Sequence, residues 1–203
     1  MYTLYSMQNS GNCYKLRLAM AQLGVRFQIR DVDILKGESR SIEFLKINPN
    51  GKVPTLVLPD GRPITESDAA LYYLAEGTPL LPVGRFARAE ALQWMFFEQY
   101  SHEPYIAVAR YWLTIAPDGR ETKKDCFPEW NERGHHALRV MERQLCVRDF
   151  FADGQYSIAD IALYAYTHMA DEGGFDLSGY PAINAWLERV RSQPGHVDIA
   201  WRP

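Results

Sequence analysis

Up to about Gly77 the chain alternates between strand-like and helix-like periods; beyond it only the helical period persists. YTLYS (2–6) reads as a short strand, and Cys13 to Leu23 as a helix with Cys13, Leu16, Met20 and Leu23 along one face. Gly24 stands where a helix stop belongs. VRFQIRDVDI (25–34) alternates as a strand does, SRSIEFLKI (39–47) is helical, and VPTLVL (53–58) has the apolar run of a buried strand. PDG (59–61) is turn chemistry before a short RPIT strand (62–65). TESDAALYYLAE (65–76) then starts a helix, with Thr65 and Asp68 at capping-box spacing. The expected order is β-α-β-α-β-β-α.

TPLLPVGRF (78–86) breaks both periods with Gly and Pro. A long helical stretch follows from Ala87 to Leu113, and Pro104 within it removes an amide donor and should bend it. Further helices are expected from about Pro128, from Ser157, where Ser157 and Asp160 form a capping box, and from Pro181, a favoured first helical residue. The chain therefore divides into a small α/β module (1–77), a linker (78–86) and an all-helical domain (87–203).

Composition narrows the classes. The 203 residues are 47% apolar and 23% charged, as in a globular protein with a core to bury. A formal charge of −3 gives no electrostatic reason to expect nucleic acid or an anionic membrane as partner. No apolar run nears the roughly 18–20 residues of a membrane helix, and MYTLYSMQNS lacks the features of a signal peptide. Cys13, Cys126 and Cys146 are too widely spaced for a disulfide framework or a zinc site, and the five histidines form no ligand pattern, so no metal is expected. A reduced, cytoplasmic setting follows. Phosphate-loop, dinucleotide and nucleophile-elbow motifs are absent.

Chemistry concentrates in the first module. Ser10-Gly11-Asn12-Cys13 has the spacing of a C-x-x-C redox pair with serine in the leading place. Ser10 falls where the first strand gives way to the first helix, at that helix's positive end. NPNGKVP (48–54) sets Val53 before Pro54, which forces Val53 into an extended conformation and admits a cis bond. Lys52 adds a cation beside it, and Glu66 and Ser67 open the third helix at another positive terminus.

Taken in order and spacing, Ser10 before CYKLRLAM, NPNGKVPTL, TESDAALYYLAE and the SIAD cap at 157–160 resemble the cytosolic glutathione transferases of the bacterial, serine-type kind, over nearly the whole chain. The resemblance implies a thioredoxin-like α/β N-terminal domain that binds glutathione, an all-α C-terminal domain for the electrophilic co-substrate, and a homodimer. It assigns the Val53 backbone, before Pro54, to strand-like pairing with the cysteinyl part of glutathione. Glu66 and Ser67 would hold the γ-glutamyl end, with Lys52 and Lys36 at the glycyl carboxylate. The family's first two helices of the second domain wall the electrophile pocket, where Tyr100, Tyr105 and Trp112 are the candidates. Most other aromatics there, Trp94, Phe96 and Phe97 included, read as core and subunit interface, His102 as structural or pocket-lining, and Asp160 as a folding cap.

The serine in a thiol's place then has a chemical reason. Glutathione brings the attacking sulfur, and the protein has to stabilise its thiolate. A free thiol titrates near 8.5, and lowering that by one to two units requires about 1.4–2.7 kcal/mol. A hydrogen bond to a charged acceptor contributes about 1.5–3 kcal/mol and a helix N-terminus about 0.3–1 kcal/mol, so the two together suffice. Cys13 is the main rival, set against a buried structural thiol by its place on the apolar face. Tyr5 is the other; the family's catalytic tyrosine aligns with Ser6, and one step along a strand reverses the face. Ser10 as a plain helix cap is the bland alternative, and Asn12 is a possible helper at the sulfur. The expected activity is conjugation of glutathione to small apolar electrophiles, a detoxification chemistry. Its alternatives are a glutathione-dependent disulfide or peroxide reductase and a non-catalytic binding module.

Overall fold

A computed structural model describes all residues, 1–203. In the N-terminal part, β1 (Tyr2–Ser6), α1 (Gly11–Gln22), β2 (Phe27–Asp31), α2 (Ile42–Ile47), β3 (Thr55–Val57), β4 (Pro63–Ile64) and α3 (Ser67–Ala75) follow in the expected β-α-β-α-β-β-α order. The strands form one mixed sheet in the order β2-β1-β3-β4, with β1 parallel to β2 and antiparallel to β3. Leu4 and Leu56 pair across β1 and β3 and are fully buried, as are Leu16, Met20 and Leu71 of the helices. Gly24, at φ 63°, adopts the left-handed conformation that ends α1.

Two local expectations change. Asp68 does not cap α3: the N-cap is Glu66, without a side-chain cap bond, and Asp68 is drawn to Lys15 instead. The apolar stripe of α1 is likewise incomplete, because the helix is buried on nearly every side, Lys15 and Arg17 included, while Leu23 is only half-buried at its C-cap.

The helical part holds α4 (Arg85–Phe97), α5 (Glu103–Arg110), α6 (Gly119–Thr122), α7 (Phe127–Leu145), α8 (Ile158–Thr167) and α9 (Pro181–Arg191). Between α4 and α5 the backbone widens to a π-helical turn over Glu98–His102, and Pro104 stands within the first turn of α5. Proline cannot donate back to the preceding turn, and the wider turn absorbs the missing bond. All of α8 is buried, and its capping box is formed: Ser157 accepts from the Ala159 amide while Asp160 accepts from the Ser157 amide at 2.9 Å. None of the helices is long and apolar enough to cross a membrane.

The chain divides into Met1–Thr78 with Pro194–Pro203, and Pro79–Gln193. The last ten residues, placed by sequence with the helical domain 87–203, instead return to the first unit. Arg17, fully buried, explains the return: its guanidinium donates to the Ser6 hydroxyl, the Gln8 carbonyl and the Ile199 carbonyl at 3.0, 2.7 and 2.9 Å. Tyr14 donates to the Val197 carbonyl at 2.6 Å, and Trp201 meets Phe27. Deleting residues 194–203 is expected to destabilise the protein by about 2–4 kcal/mol, since buried donors lose their acceptors. Chemical denaturation of the truncated chain checks this, and an unchanged midpoint would contradict the bracing role of the tail.

Candidate functional site

The β1–α1 connection turns on Ser10. Its backbone is extended (φ −83°, ψ 123°), and its Oγ accepts the Cys13 amide at 3.3 Å as the N-cap of α1. A hydroxyl has one hydrogen to give and two lone pairs to receive with. Capping uses a lone pair, which leaves the hydrogen to donate: the Cys13 sulfur is within its reach, and an acceptor at the positive end of the twelve-residue helix could take it instead. The bland role and the chemical role of Ser10 are therefore compatible.

Cys13 is fully buried, and its Sγ accepts the Met7 amide at 3.4 Å. Burial pushes its thiol above the usual range, the opposite of what a nucleophile needs at neutral pH. Its position braces the loop that carries Ser10. Tyr5 is half-buried and packs edge-on against Phe44, their ring centres 5.7 Å apart.

The sheet brings the second feature alongside. Tyr5 of β1 pairs with Thr55 of β3, and continuing that antiparallel register sets Pro54 and Val53 beside Ser6 and Met7. The Val53–Pro54 bond is cis. Asn48 fixes the preceding loop by donating from Nδ2 to the Lys52 carbonyl at 2.8 Å and the Thr55 hydroxyl at 3.0 Å. Lys52 is exposed on this loop.

The third feature arrives through the packing of α1 against α3. Ser67, buried at the first position of α3, donates to Asn12 Oδ1 at 3.5 Å, while Glu66 is exposed just before it. Beneath them Lys15 Nζ lies 2.9 Å from Asp68 Oδ1 and 3.5 Å from Ser67 Oγ. Ser10, Asn12, the Val53–Pro54 bond and the start of α3 thus gather at the C-terminal end of β1. Two helix N-termini there offer amides and positive potential to an anionic ligand. Lys36 lies apart from these contacts: it is 77% exposed and paired with Asp33 at 3.0 Å.

In the helical unit, Tyr100 and Tyr105 line one cleft of about 640 Å³ with Pro104, Arg133 and His136. Tyr105 accepts from Arg133 at 3.2 Å, and Tyr100 is 84% exposed. Trp112 is not among the residues lining this cleft; it packs edge-on against Tyr111, with Lys123 over its ring. His102 is fully buried with Nε2 2.9 Å from the Thr167 hydroxyl, a structural placement. Trp94 is buried, Phe97 packs edge-on against it, and Phe96 is exposed. No group of three or more His, Cys, Asp or Glu side chains is arranged to hold a metal ion.

The pairing of Lys15 with the start of α3 was not read from sequence. Its signal was present in CYKLRLAM, where charged residues alternate with large apolar ones and cannot all reach solvent.

Comparison with known proteins matches the chain in two parts. The family model described as glutathione S-transferase, N-terminal domain, matches residues 9–76, and that for the C-terminal domain matches residues 89–194. The solved structure of a possible glutathione S-transferase from Rhodopseudomonas palustris is 54% identical, covering 100% of this chain and 99% of that one, with a TM-score of 0.97. Among curated relatives, the disulfide-bond oxidoreductase YfcG of Escherichia coli is 32% identical over 90% of this chain and 87% of its own length. Glutathione S-transferase F10 of Arabidopsis thaliana is 33% identical over 90% and 89%.

Proposed function

Since the chain belongs to the glutathione S-transferase family, we propose that it is a glutathione transferase in which Ser10 stabilises the thiolate of bound glutathione for attack on small apolar electrophiles. The observation that carries this reading is the meeting of the Ser10 hydroxyl, the cis Val53–Pro54 bond and the Ser67 terminus of α3 at one end of β1. Glutathione would lie across them. The Val53 backbone pairs with its cysteinyl part, and Ser67 and Glu66 hold its γ-glutamyl carboxylate and ammonium. Lys52 meets the glycyl carboxylate; Lys36 would first have to leave Asp33. Asn12, already within reach of Ser67, is placed to assist.

On this reading residues 1–77 bind glutathione, 78–86 link, and the helical domain supplies the electrophile pocket. Tyr100 and Tyr105, which share a cleft, are better candidates for its wall than Trp112. Exposed Phe96 suits a homodimer contact. Three free cysteines suit a reducing cytoplasm, and conjugation there would serve detoxification. Positioning and thiolate stabilisation supply the rate.

A second reading is favoured by the relative named as a disulfide-bond oxidoreductase: the same bound thiolate attacks a disulfide, and a second glutathione completes the reduction. A buried Cys13 beside a serine argues against a dithiol cycle run by the protein itself. Turnover of an aryl halide and of hydroxyethyl disulfide, measured side by side with glutathione, separates the readings. Faster conjugation of the halide is expected. Disulfide turnover alone would favour the reductase, and glutathione binding with neither turnover a binding module.

A further inference from the structure

We propose that Lys15 is a positioning residue for the γ-glutamyl end of glutathione, holding the Ser67 hydroxyl as a hydrogen-bond donor from inside the fold. The inference rests on the glutathione site proposed above and adds a residue to it.

Lys15 is fully buried, and a buried ammonium costs several kcal/mol unless it is paired. Two of its partners lie on the first two residues of α3: Asp68 Oδ1 at 2.9 Å and Ser67 Oγ at 3.5 Å. A lysine at neutral pH only donates, so its contact with Ser67 occupies a lone pair of that hydroxyl and turns the hydroxyl hydrogen away. That hydrogen reaches Asn12 Oδ1 at 3.5 Å, a long bond easily exchanged for one to a carboxylate. The Ser67 amide, at the first position of α3, has no partner within the helix. Ser67 thereby presents two donors to an anion, and Lys15 fixes the sense of one of them.

Lys15 also cancels a liability. Asp68 would put a carboxylate next to the place where a carboxylate has to bind, and its Oδ2 is buried without a hydrogen-bond partner. Pairing with Lys15 neutralises that charge at the anion site. A lysine serving only to hold α1 against α3 could do so through Asp68 alone and would need no contact with Ser67.

The test compares binding of glutathione and of cysteinylglycine, which lacks the γ-glutamyl group, by isothermal titration. The proteins are wild type, Lys15→Arg, Lys15→Met/Asp68→Asn and Lys15→Gln/Asp68→Asn. The double variants avoid leaving Asp68 buried without a counterion, and the second keeps a neutral donor if the first does not fold. The first is expected to raise the Kd for glutathione about five- to tenfold, with cysteinylglycine changed less than about twofold. Lys15→Gln/Asp68→Asn should fall between it and wild type, and Lys15→Arg should keep most of the discrimination. Equal weakening of both ligands would mean a purely structural role and overturn the proposal, as would unchanged discrimination in a folded double variant. Wild type failing to bind glutathione at all would instead overturn the site itself, and this proposal with it.

Discussion

Ser10→Ala is expected to lower kcat/KM for an aryl halide about 10- to 100-fold, an energy of about 1.4–2.7 kcal/mol, with KM for glutathione changed less than about threefold. The hydroxyl contributes chiefly to the charged form of the sulfur, which is the form that attacks, and little to binding of the rest of the tripeptide. The lost cap bond costs some stability, about 1 kcal/mol, so activity is to be compared at a temperature where both proteins are folded. Cys13→Ala is the matching control. Its sulfur is buried and its thiol held protonated, so it should change kcat by less than about threefold once the fold is intact. A Cys13 variant that lost activity while Ser10→Ala kept it would reverse the assignment of roles.

Asp160→Asn is expected to destabilise the protein by about 2–4 kcal/mol at pH 8 without direct effect on the chemistry. The carboxylate is completely buried and faces only donors. Oδ1 accepts from the Phe151 amide at 3.2 Å and Trp186 Nε1 at 2.9 Å, and Oδ2 from the Ser157 amide at 2.9 Å and its hydroxyl at 3.2 Å. An asparagine would turn an NH2 group towards one of these pairs, leaving buried donors facing each other. Those bonds tie the start of α8 to α9 and to the segment before α8, so the loss falls on the centre of the helical unit. Denaturant unfolding measures it directly, and a loss under 1 kcal/mol would contradict the account.

The same carboxyl carries a pH signature. Burial pushes it up to about 7 from an ordinary value of 3.8. Between those values the native state keeps the proton and the unfolded chain releases it. This group's contribution to stability is therefore full below about pH 4 and falls as pH rises through 7.

The order of elements was legible because the two periods alternate cleanly and because Gly24, Pro181 and the Ser157–Asp160 pair mark helix ends by local chemistry alone. Local chemistry misled at Thr65 and Asp68. The spacing of a capping box was there, but an ion pair with Lys15, 53 residues away in sequence, claimed the carboxylate. The burial of Arg17 was hidden for the same reason, since its Ile199 partner lies 182 residues further on. The short α6 left no periodic signal, being only four residues long.

The candidate site was legible in its parts more than in its assembly. Ser10 at a helix start and Val53 before proline could be read directly, but their proximity depends on the register of β1 against β3. The link from Asn12 to Ser67 depends on α1 packing against α3. In the helical unit, aromatic richness identified Tyr100, Tyr105 and Trp112 together, yet only the first two line the same cleft, a separation that depends on how the helices pack.

The central claim is that a serine hydroxyl at the start of α1 lowers the pKa of a thiol brought by glutathione. It is tested most directly by titrating the ultraviolet absorbance of the thiolate in the binary complex, for wild type and for Ser10→Ala, with glutathione saturating in both. The wild-type midpoint is expected one to two units below the free-thiol value of about 8.5, and the variant's about one unit higher than that of wild type. Identical midpoints in the two proteins would contradict it.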